Sequence, residues 1–409
     1  MNSANNCRIC GNAIKPFMNF GKMPIANGFL KEHEFDREYF FEMKPSFCEK
    51  CYAFQLIDQP DAPMMFNENY PFFSSLSKYM QIHFKEFATL LMEKFLNDKK
   101  NSFVIELGSN DGIMLRHFKN AGIKHLGIEP SINVAEISKK AGINTVSQFF
   151  DENLADGILS EYGHANIIYA ANVMCHIPDL NSVFAGISKL LGKDGILVFE
   201  DPYLGEMLDK VSYDQIYDEH VYIFSASSIS SLCKRHGLEL FDLAAQITHG
   251  GSMRYFIAPK GSHEKSPNVL AILEKEEIKG FKDPNKYLDF KSNCEQSKSE
   301  LVSLLRKIKS ENKRVVGYGA TSKSTTILNY SDIGSDLIEF ISDTTPLKQN
   351  KYSPGMHIPV KPYEEFQKNP PEFALLFAWN HSAEIFEKEK DFEKNGGKWI
   401  RFVPSVEVI

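Results

Sequence analysis

Residues 213–225, YDQIYDEHVYIFS, concentrate acids, phenols and an imidazole in one short stretch. If the stretch forms a helical turn, Tyr217 and His220 lie three residues apart on one face, and Glu219 does not share that face. An imidazole accepts a proton near neutral pH, and a phenol can act as an acid or hold a developing negative oxygen. The stretch is therefore a candidate acid–base centre. The alternative is an aromatic helix packed on a sheet, with Glu219 and His220 as a local polar pair.

Four of the seven cysteines form two C-x-x-C pairs, CRIC and CEKC, near the N-terminus. Two such pairs can place four thiolates at the corners of the tetrahedron that Zn²⁺ prefers. Four protein ligands leave no position for water, so a structural zinc is expected and not a catalytic one. A redox dithiol is the alternative, although it needs only one C-x-x-C. The candidate ligands are Cys7, Cys10, Cys48 and Cys51.

A glycine-rich loop follows an apolar strand in VIELGSNDGIMLRHF. Its spacing is G-x-x-x-G, so the dinucleotide fingerprint G-x-G-x-x-G is missing. Glu129 ends the next strand, where a doubly wound sheet presents a carboxylate to ribose hydroxyls. The loop resembles the binding loop of class I methyltransferases that use S-adenosylmethionine, and a plain strand-to-helix turn is the alternative. The candidate cofactor residues are Glu106, Gly108, Asn110, Gly112, Glu129 and Asn172.

The order of strand-like and helix-like segments predicts an α/β protein with several units, as 409 residues exceed one ordinary domain. Residues 1–68 are loop-rich and form the predicted zinc-binding domain. Residues 69–263 alternate helices with apolar strands, which indicates a doubly wound, Rossmann-like methyltransferase domain. Residues 264–313 read as amphipathic connector helices, and residues 314–409 as a second Rossmann-like α/β domain.

Composition excludes several classes of function. The chain carries 46 basic and 53 acidic residues, a net charge of −7, and no basic block of the kind that binds nucleic acid. No apolar run approaches the roughly 18 residues of a membrane span. The N-terminal residues lack the apolar core of a secretory signal, so a reducing cytoplasm is the expected location.

Several motifs, in order, resemble those of the bacterial sugar C-methyltransferases, which methylate a 4-keto deoxysugar nucleotide at C-3. The N-terminal cysteines match the zinc domain of that family. YPFFSSLSKYMQIHF, FEDPYL and YDQIYDEHVYIFS match its central part, and THGGSMRYF, GYGATSKSTTILNY, SDTTPLKQNKYSPGMHIPV and FAWNH match its C-terminal half. The resemblance spans nearly the whole chain and implies a nucleotide-sugar substrate. It leaves the oligomeric state open.

The resemblance assigns roles to particular residues. Tyr217, Glu219 and His220 match the catalytic and orienting positions, and His176 matches an active-site histidine. The central run of the family is Tyr-His-Glu-His, so Asp218 is a departure that could change the charge beside the sugar. The possible substrate contacts implied in the C-terminal half are Lys323, Asn329, Asp343, Lys348 and Trp379.

Two further glycine pairs have two readings each. Gly317 and Gly319 lack a third glycine, since Ser322 stands in its place, so an NAD site is not expected there. They permit either a phosphate-binding turn, to which Lys323 adds charge, or only a tight turn. THGGSMRYF places His249 and Arg254 near the substrate by resemblance, although its glycines also fit a bulge or hairpin turn.

The implied reaction begins with loss of a proton next to the C-4 ketone. His220 removes that proton, or Tyr217 does so with His220 behind it, and Glu219 or its neighbours fix the imidazole tautomer. His176 stabilises the enolate oxygen. The alternatives are methylation of oxygen or nitrogen on a related sugar, and a non-catalytic binding module with zinc and a Rossmann fold.

Overall fold

Short strands form the N-terminal part of the chain. The computed structural model describes residues 5–66 and 78–409. The first elements are β1 (Lys22–Pro24), β2 (Phe40–Glu42), β3 (Pro45–Phe47), β4 (Phe54–Leu56) and α1 (Ala62–Met65). β1 pairs with β2 and β3 with β4, all antiparallel. Such small sheets need outside support, and their apolar residues belong to one buried cluster with both later sheets. The predicted boundary at residue 68 and residues 70–77 of YPFFSSLSKYMQIHF lie outside the described residues.

The central part is a seven-stranded sheet covered by helices. Its helices are α2 (Lys78–Phe95), α3 (Leu115–Asn120), α4 (Ile132–Lys140), α5 (Glu152–Tyr162), α6 (Leu180–Leu190), α7 (Leu204–Lys210) and α8 (Ala226–Arg235). The strands, in chain order, are β5 (Phe103–Leu107), β6 (Lys124–Ile128), β7 (Thr145–Val146), β8 (Ala165–Ala171), β9 (Leu191–Pro202), β10 (Tyr222–Ile223), β11 (Leu238–Gln246) and β12 (Ser252–Pro259). All but β10 belong to this sheet, and β10 pairs with β4 instead.

The strand order of the central sheet confirms the predicted fold class. The order is β7-β6-β5-β8-β9-β12-β11, in which β12 runs antiparallel to both of its neighbours. β5 to β9 are parallel, as expected for apolar strands that helices cover on both faces. This is the sheet of class I methyltransferases. The order reverses between β5 and β8, so a binding crevice is expected beyond their carboxyl ends.

Two connector helices, α9 (Pro267–Ile278) and α10 (Pro284–Ser310), follow the central sheet. Glu276 on α9 is fully buried, and its carboxylate accepts hydrogen bonds from the backbone N–H groups of Ala226 and Ser227. These donors lie in the first turn of α8, where a negative charge satisfies otherwise unpaired amides. The connector is thereby fixed to the central part.

The C-terminal part is a second seven-stranded sheet. Its strands are β13 (Val315–Tyr318), β14 (Ile341–Asp343), β15 (Lys351–Tyr352), β16 (Pro359–Pro362), β17 (Phe373–Leu376), β18 (Lys398–Arg401) and β19 (Glu407–Val408), in the order β15-β16-β14-β13-β17-β18-β19. Its helices are α11 (Ser322–Ser331), α12 (Tyr363–Lys368), α13 (Ser382–Lys388) and α14 (Lys390–Lys394). The five inner strands are parallel and both edge strands antiparallel, which confirms the predicted second α/β unit. Within the described ranges, no helix is both long and apolar enough to cross a membrane.

Candidate active site

One cavity of about 430 Å³ contains the glycine-rich loop and the predicted acid–base residues together. Its wall includes the loops after β5, β6 and β8, the turn that precedes β10, and the start of α11. The N-terminal part contributes Asn27, and the C-terminal part contributes Lys323 and Lys348. The cavity therefore depends on three parts of the chain being docked together.

The loop after β5 allows the backbone to approach closely at the switch point of the sheet. Gly108 has a φ of +65°, and a Cβ atom there would overlap the side chain of Val173. Gly112 has a φ of +77°, and a Cβ atom there would lie 2.8 Å from the hydroxyl of Ser138. Conformation and packing thus both require glycine at these two positions.

Glu129 is held beside this loop by two backbone groups. The N–H of Asn110 donates to Oε2 at 2.9 Å, and the N–H of Ser131 donates to Oε1 at 2.8 Å. Burial raises the pKa of Glu129, and these hydrogen bonds oppose that rise. Glu129 lines the cavity together with Gln148 and Phe149. A carboxylate and an aromatic ring on one wall fit the ribose and the adenine of S-adenosylmethionine.

The six predicted cofactor residues divide into two groups. Gly108, Asn110, Glu129 and Asn172 line the cavity. Glu106 and Gly112 are not part of its lining. The carboxyl of Glu106 is buried under the loop and accepts a 2.7 Å hydrogen bond from the hydroxyl of Tyr169, and burial raises its pKa well above the usual value. These two residues shape the loop from behind.

The turn from Tyr217 to His220 is closed by a 2.9 Å backbone hydrogen bond, and it brings both side chains to one side. The hydroxyl of Tyr217 lies 2.9 Å from Nε2 of His220. The Nδ1 atom of His220 lies 2.6 Å from the carbonyl oxygen of Gln215. A carbonyl oxygen only accepts, so Nδ1 carries the proton and Nε2 accepts from the phenol. The Gln215 carbonyl, and not Glu219, therefore fixes the tautomer.

The imidazole of His220 is neutral. Burial, together with the neighbouring His176, holds the pKa of His220 well below its usual value. The ring of His176 lies 5.3 Å from that of His220 and stacks on Phe66. Burial lowers the pKa of His176 to about 3. Among the described residues, Nε2 of His176 has no hydrogen-bond partner. Two neutral imidazoles thus stand side by side in the cavity wall.

Glu219 and Asp218 face different surroundings. Glu219 lines the cavity, and its Oε1 accepts a 2.7 Å hydrogen bond from Nδ2 of Asn27. Burial raises the pKa of Glu219, against the hydrogen bond from Asn27 and the charge of Lys348. Asp218 is not part of the lining, and its Oδ1 accepts a 3.0 Å hydrogen bond from the N–H of Ala26. The departure from the resembled Tyr-His-Glu-His run thus faces the N-terminal part and not the cavity.

Two half-buried lysines occupy the C-terminal side of the cavity. Nζ of Lys323 lies 4.7 Å from the ring centre of Trp379 and 3.4 Å from the carbonyl of His249. Nζ of Lys348 donates to the carbonyl of Ala320 at 2.7 Å. Burial lowers the pKa of both lysines. With the N-terminus of α11 beside them, this side of the cavity favours an anion.

The other three predicted substrate residues lie behind this wall. Trp379 donates from Nε1 to Oδ2 of Asp214 at 2.6 Å. Asp343 accepts from the backbone N–H groups of Ala320 and Thr345, both at 2.7 Å. Asn329 donates to the carbonyls of Thr325 and Pro354. None of the three belongs to the cavity lining as the described residues form it, and their polar groups are hydrogen-bonded to neighbouring parts of the protein. Arg254 is likewise engaged with Glu200.

The four predicted zinc ligands converge in the N-terminal part. The sulfur atoms of Cys7 and Cys51 lie 3.4 Å apart, and those of Cys10 and Cys48 lie 3.5 Å apart. All four sulfur atoms lie within 4.8 Å of one another. Four thiolates bound to one Zn²⁺ at about 2.3 Å lie at similar mutual distances. Nε2 of Gln55 donates to Cys7 at 3.0 Å, as a neutral donor to a thiolate ligand would. The donor set fits a closed, structural zinc site.

Sequence reasoning missed three parts of the wall, Asn27, Gln215 and Phe149. Asn27 acts through a contact with a distant part of the chain, and Gln215 acts through its backbone carbonyl. No motif marks either of them. Phe149 is 49% exposed and lines the same end of the cavity as Glu129. An apolar residue that follows a strand was a signal by which the sequence could have identified it. His249 was noticed only by resemblance, and the structure places it in the lining.

The chain was compared with known protein families and with curated proteins. Residues 7–66 match a family described as "Putative zinc binding domain", residues 78–243 match "Methyltransferase domain", and residues 247–404 match "C-methyltransferase C-terminal domain". The C-methyltransferase NovU of Streptomyces niveus is 33% identical over 407 residues, which cover 98% of this chain and 96% of that protein. An uncharacterized methyltransferase of Alkaliphilus oremlandii is 27% identical over 156 residues, 36% of this chain and 70% of that protein.

Among solved structures, the CcbJ methyltransferase of Streptomyces caelestis covers 43% of this chain and 89% of its own length. Its identity to this chain is 13% and the TM-score is 0.35.

Replacement of Cys48 by serine is expected to abolish zinc binding, because three thiolates hold Zn²⁺ less tightly than four and leave a coordination position open. Metal analysis of the purified variant should fall from about one zinc per chain toward zero. Thermal unfolding should begin several degrees lower than in the parent. Cys233→Ala, which removes a buried thiol on α8 away from the cluster, is the control and should keep its zinc. Full zinc occupancy in Cys48→Ser contradicts the assignment.

Replacement of Asn27 by alanine should lower the free energy of unfolding by about 1–3 kcal/mol, because it removes a donor from the buried carboxyl of Glu219. Urea unfolding monitored by tryptophan fluorescence measures this loss. Asn19→Ala is the matched control: Asn19 also donates to a carboxylate, that of Glu42, but on the exposed surface. The control should change stability by less than about 0.5 kcal/mol. If the two variants lose equal amounts of unfolding free energy, the buried Asn27–Glu219 contact stabilises the protein no more than the exposed one.

Proposed function

We propose a substrate and a reaction for this chain, which belongs to the C-methyltransferase family: it methylates C-3 of a nucleotide-linked 4-keto sugar, with S-adenosylmethionine as the donor. The observation that supports this reaction is the single cavity that holds both the cofactor loop and the Tyr217–His220 pair. Methylation of carbon requires a base, because a C–H group is not a nucleophile until its proton is removed. A neutral imidazole bonded to a phenol provides such a base.

The hydrogen-bond direction favours Tyr217 as the group that meets the substrate proton. The phenol of Tyr217 already donates to Nε2 of His220, so transfer of its proton to that nitrogen leaves a phenolate. The phenolate takes the C-3 proton, and the imidazolium that remains keeps its second N–H on the carbonyl of Gln215. The neighbouring ketone makes the C-3 proton acidic. Bound S-adenosylmethionine supplies the electrophilic methyl group that the resulting carbon nucleophile accepts.

His176 is suited to the enolate oxygen. Its imidazole is neutral, and its buried Nε2 is unpaired among the described residues. A neutral imidazole donates a hydrogen bond without delivering its proton outright, so it stabilises an enolate while leaving the carbon nucleophilic. Glu219 lies on the same wall, where it ties the reacting turn to Asn27.

The C-terminal side of the cavity supports a nucleotide-linked substrate. Lys323 and Lys348 offer two ammonium groups near the N-terminus of α11, an arrangement that suits a diphosphate. Their partial desolvation strengthens attraction to an anion. The division of the chain at residues 68, 263 and 313 belongs to the same proposal: a zinc domain, a methyltransferase domain, a connector and a domain that holds the nucleotide.

A panel of nucleotide-linked 4-keto sugars, incubated with labelled S-adenosylmethionine, tests the proposed substrate. At least one member should gain the mass of one methylene, about 14 mass units plus the isotopic increment of the label, and its NMR spectrum should show a methyl group on C-3. A methoxy or N-methyl signal would instead identify oxygen or nitrogen as the acceptor. Absence of labelling across the panel, in protein that still binds the cofactor, would rule out this substrate class.

Replacement of Tyr217 by phenylalanine should slow the loss of the C-3 proton by about 10²- to 10⁴-fold, because the ring remains while the acid–base group is gone. Exchange of the C-3 hydrogen with D₂O, followed by NMR without cofactor, measures this step alone. His220→Gln should show a similar defect. Tyr162→Phe is the control, since its hydroxyl only accepts from Asn144 at the surface. Exchange at the parent rate in Tyr217→Phe would return the base role to His220 alone.

A further inference from the structure

The loop between β11 and β12 has an unusual backbone. Three of its five residues, His249, Gly250 and Gly251, have positive φ angles, of 54°, 90° and 131°. Glycine adopts such angles without strain, but histidine does so rarely. A strained residue persists where the surrounding structure imposes the conformation, and such residues concentrate at functional sites.

The surroundings of the loop do impose this conformation. A Cβ atom on Gly250 would overlap the ring of Trp379, and one on Gly251 would overlap the side chain of Glu206. Nζ of Lys210 donates to the carbonyl of Gly250 at 2.6 Å. The hydroxyl of Thr248 donates to Oε1 of Glu200 at 2.8 Å. Contacts from the central and C-terminal parts therefore fix His249 from both sides.

The loop presents an imidazole to the cavity, and one nitrogen of that ring is unpaired among the described residues. The imidazole of His249 lines the cavity, and its buried Nε2 has no hydrogen-bond partner within residues 5–66 and 78–409. Burial and the charge of Lys323 lower the pKa of His249 to about 4, so the ring is neutral. A histidine with only a packing role would be expected to satisfy its ring nitrogens inside the protein.

The position of His249 indicates which part of a ligand it meets. Its carbonyl lies 3.4 Å from Nζ of Lys323, at the side of the cavity that suits an anion. Its imidazole is near enough to His176 and His220 to lower the pKa of both. His249 thus stands between the anion side and the reacting side. In a nucleotide sugar, the group between the diphosphate and the reacting carbon is the sugar ring with its hydroxyls.

The geometry points to His249 as a substrate-binding residue whose neutral imidazole hydrogen-bonds an oxygen substituent of the sugar ring. This assignment rests on the proposed function, because it requires a sugar in the cavity. The bond matters for recognition: a buried polar group left unpaired by the wrong ligand costs affinity, so the site discriminates against sugars that lack the oxygen.

The test replaces His249 by asparagine, which tolerates a positive φ but cannot reach as far as the imidazole. With the best sugar of the panel, the KM should rise about 10- to 100-fold, with a smaller change in kcat. Affinity for S-adenosylmethionine, measured by calorimetry, should stay within about twofold, because His249 is not part of the cofactor wall. His249→Gln, whose longer amide offers both donor and acceptor, should recover part of the loss. His164→Asn, a surface replacement before β8, is the control.

Analogues that each lack one sugar oxygen identify the contact. One analogue should bind the parent and His249→Asn equally weakly, while the others keep the difference between the two proteins. A KM within twofold of the parent in His249→Asn overturns the assignment. The assignment also fails if His249→Asn binds every analogue more weakly than the parent by the same factor. If the parent itself binds no nucleotide sugar, the proposed function fails and this assignment fails with it. Binding by the parent and by the variant alike rejects His249 only.

Discussion

The hydrogen bond from Nδ1 of His220 to the carbonyl of Gln215 determines the tautomer of His220, on which the acid–base chemistry of the site depends. A backbone carbonyl cannot donate, so this one contact dictates which imidazole nitrogen is the acceptor. The acceptor is then the nitrogen that faces Tyr217. Gln215 holds its place because the short helix Tyr213–Gln215 is anchored by Asp214, which accepts from Trp379 of the C-terminal part. The tautomer of one histidine is therefore secured by a contact between two parts of the chain.

The N-terminal part contacts the same turn from the other side. The N–H of Ala26 donates to Asp218, and its carbonyl accepts from the hydroxyl of Thr325 on α11 at 2.9 Å. Asn27 then reaches Glu219. One dipeptide thus joins the central turn to the C-terminal part. A closed zinc site performs no chemistry, but it orders a segment whose two small sheets could not fold alone. The zinc site therefore supports the geometry of the turn that carries Tyr217 and His220, without forming part of the cavity wall.

The sequence predicted the features that local spacing determines. C-x-x-C pairs, a glycine loop between a strand and a helix, and alternating strands and helices are local patterns, and each corresponds to an observed element. Tyr217 and His220 were paired correctly because a tight turn brings residues three apart together. Gln215 and Asn27 escaped because their roles come from a backbone carbonyl and from a contact across 192 positions, and His249, on a docked loop, was indicated only by resemblance. For the same reason Asn329, Asp343 and Trp379, chosen from a resemblance of motifs, hold loops in place behind the cavity wall.

The difference between local spacing and long-range contacts also explains the position of Asp218 in the turn from Tyr217 to His220. Tyr217, Glu219 and His220 line the cavity. Asp218 points elsewhere and contacts the N-terminal part. Burial raises the pKa of Asp218 well above its usual value, and its Oδ2 has no partner among the described residues. A carboxyl with a raised pKa adds less negative charge beside the cavity. An imidazole at this position could accept the same amide hydrogen from Ala26. Asp218 and the histidine of the resembled run can therefore make the same contact with the N-terminal part, and the cavity wall is formed by Tyr217, Glu219 and His220 instead.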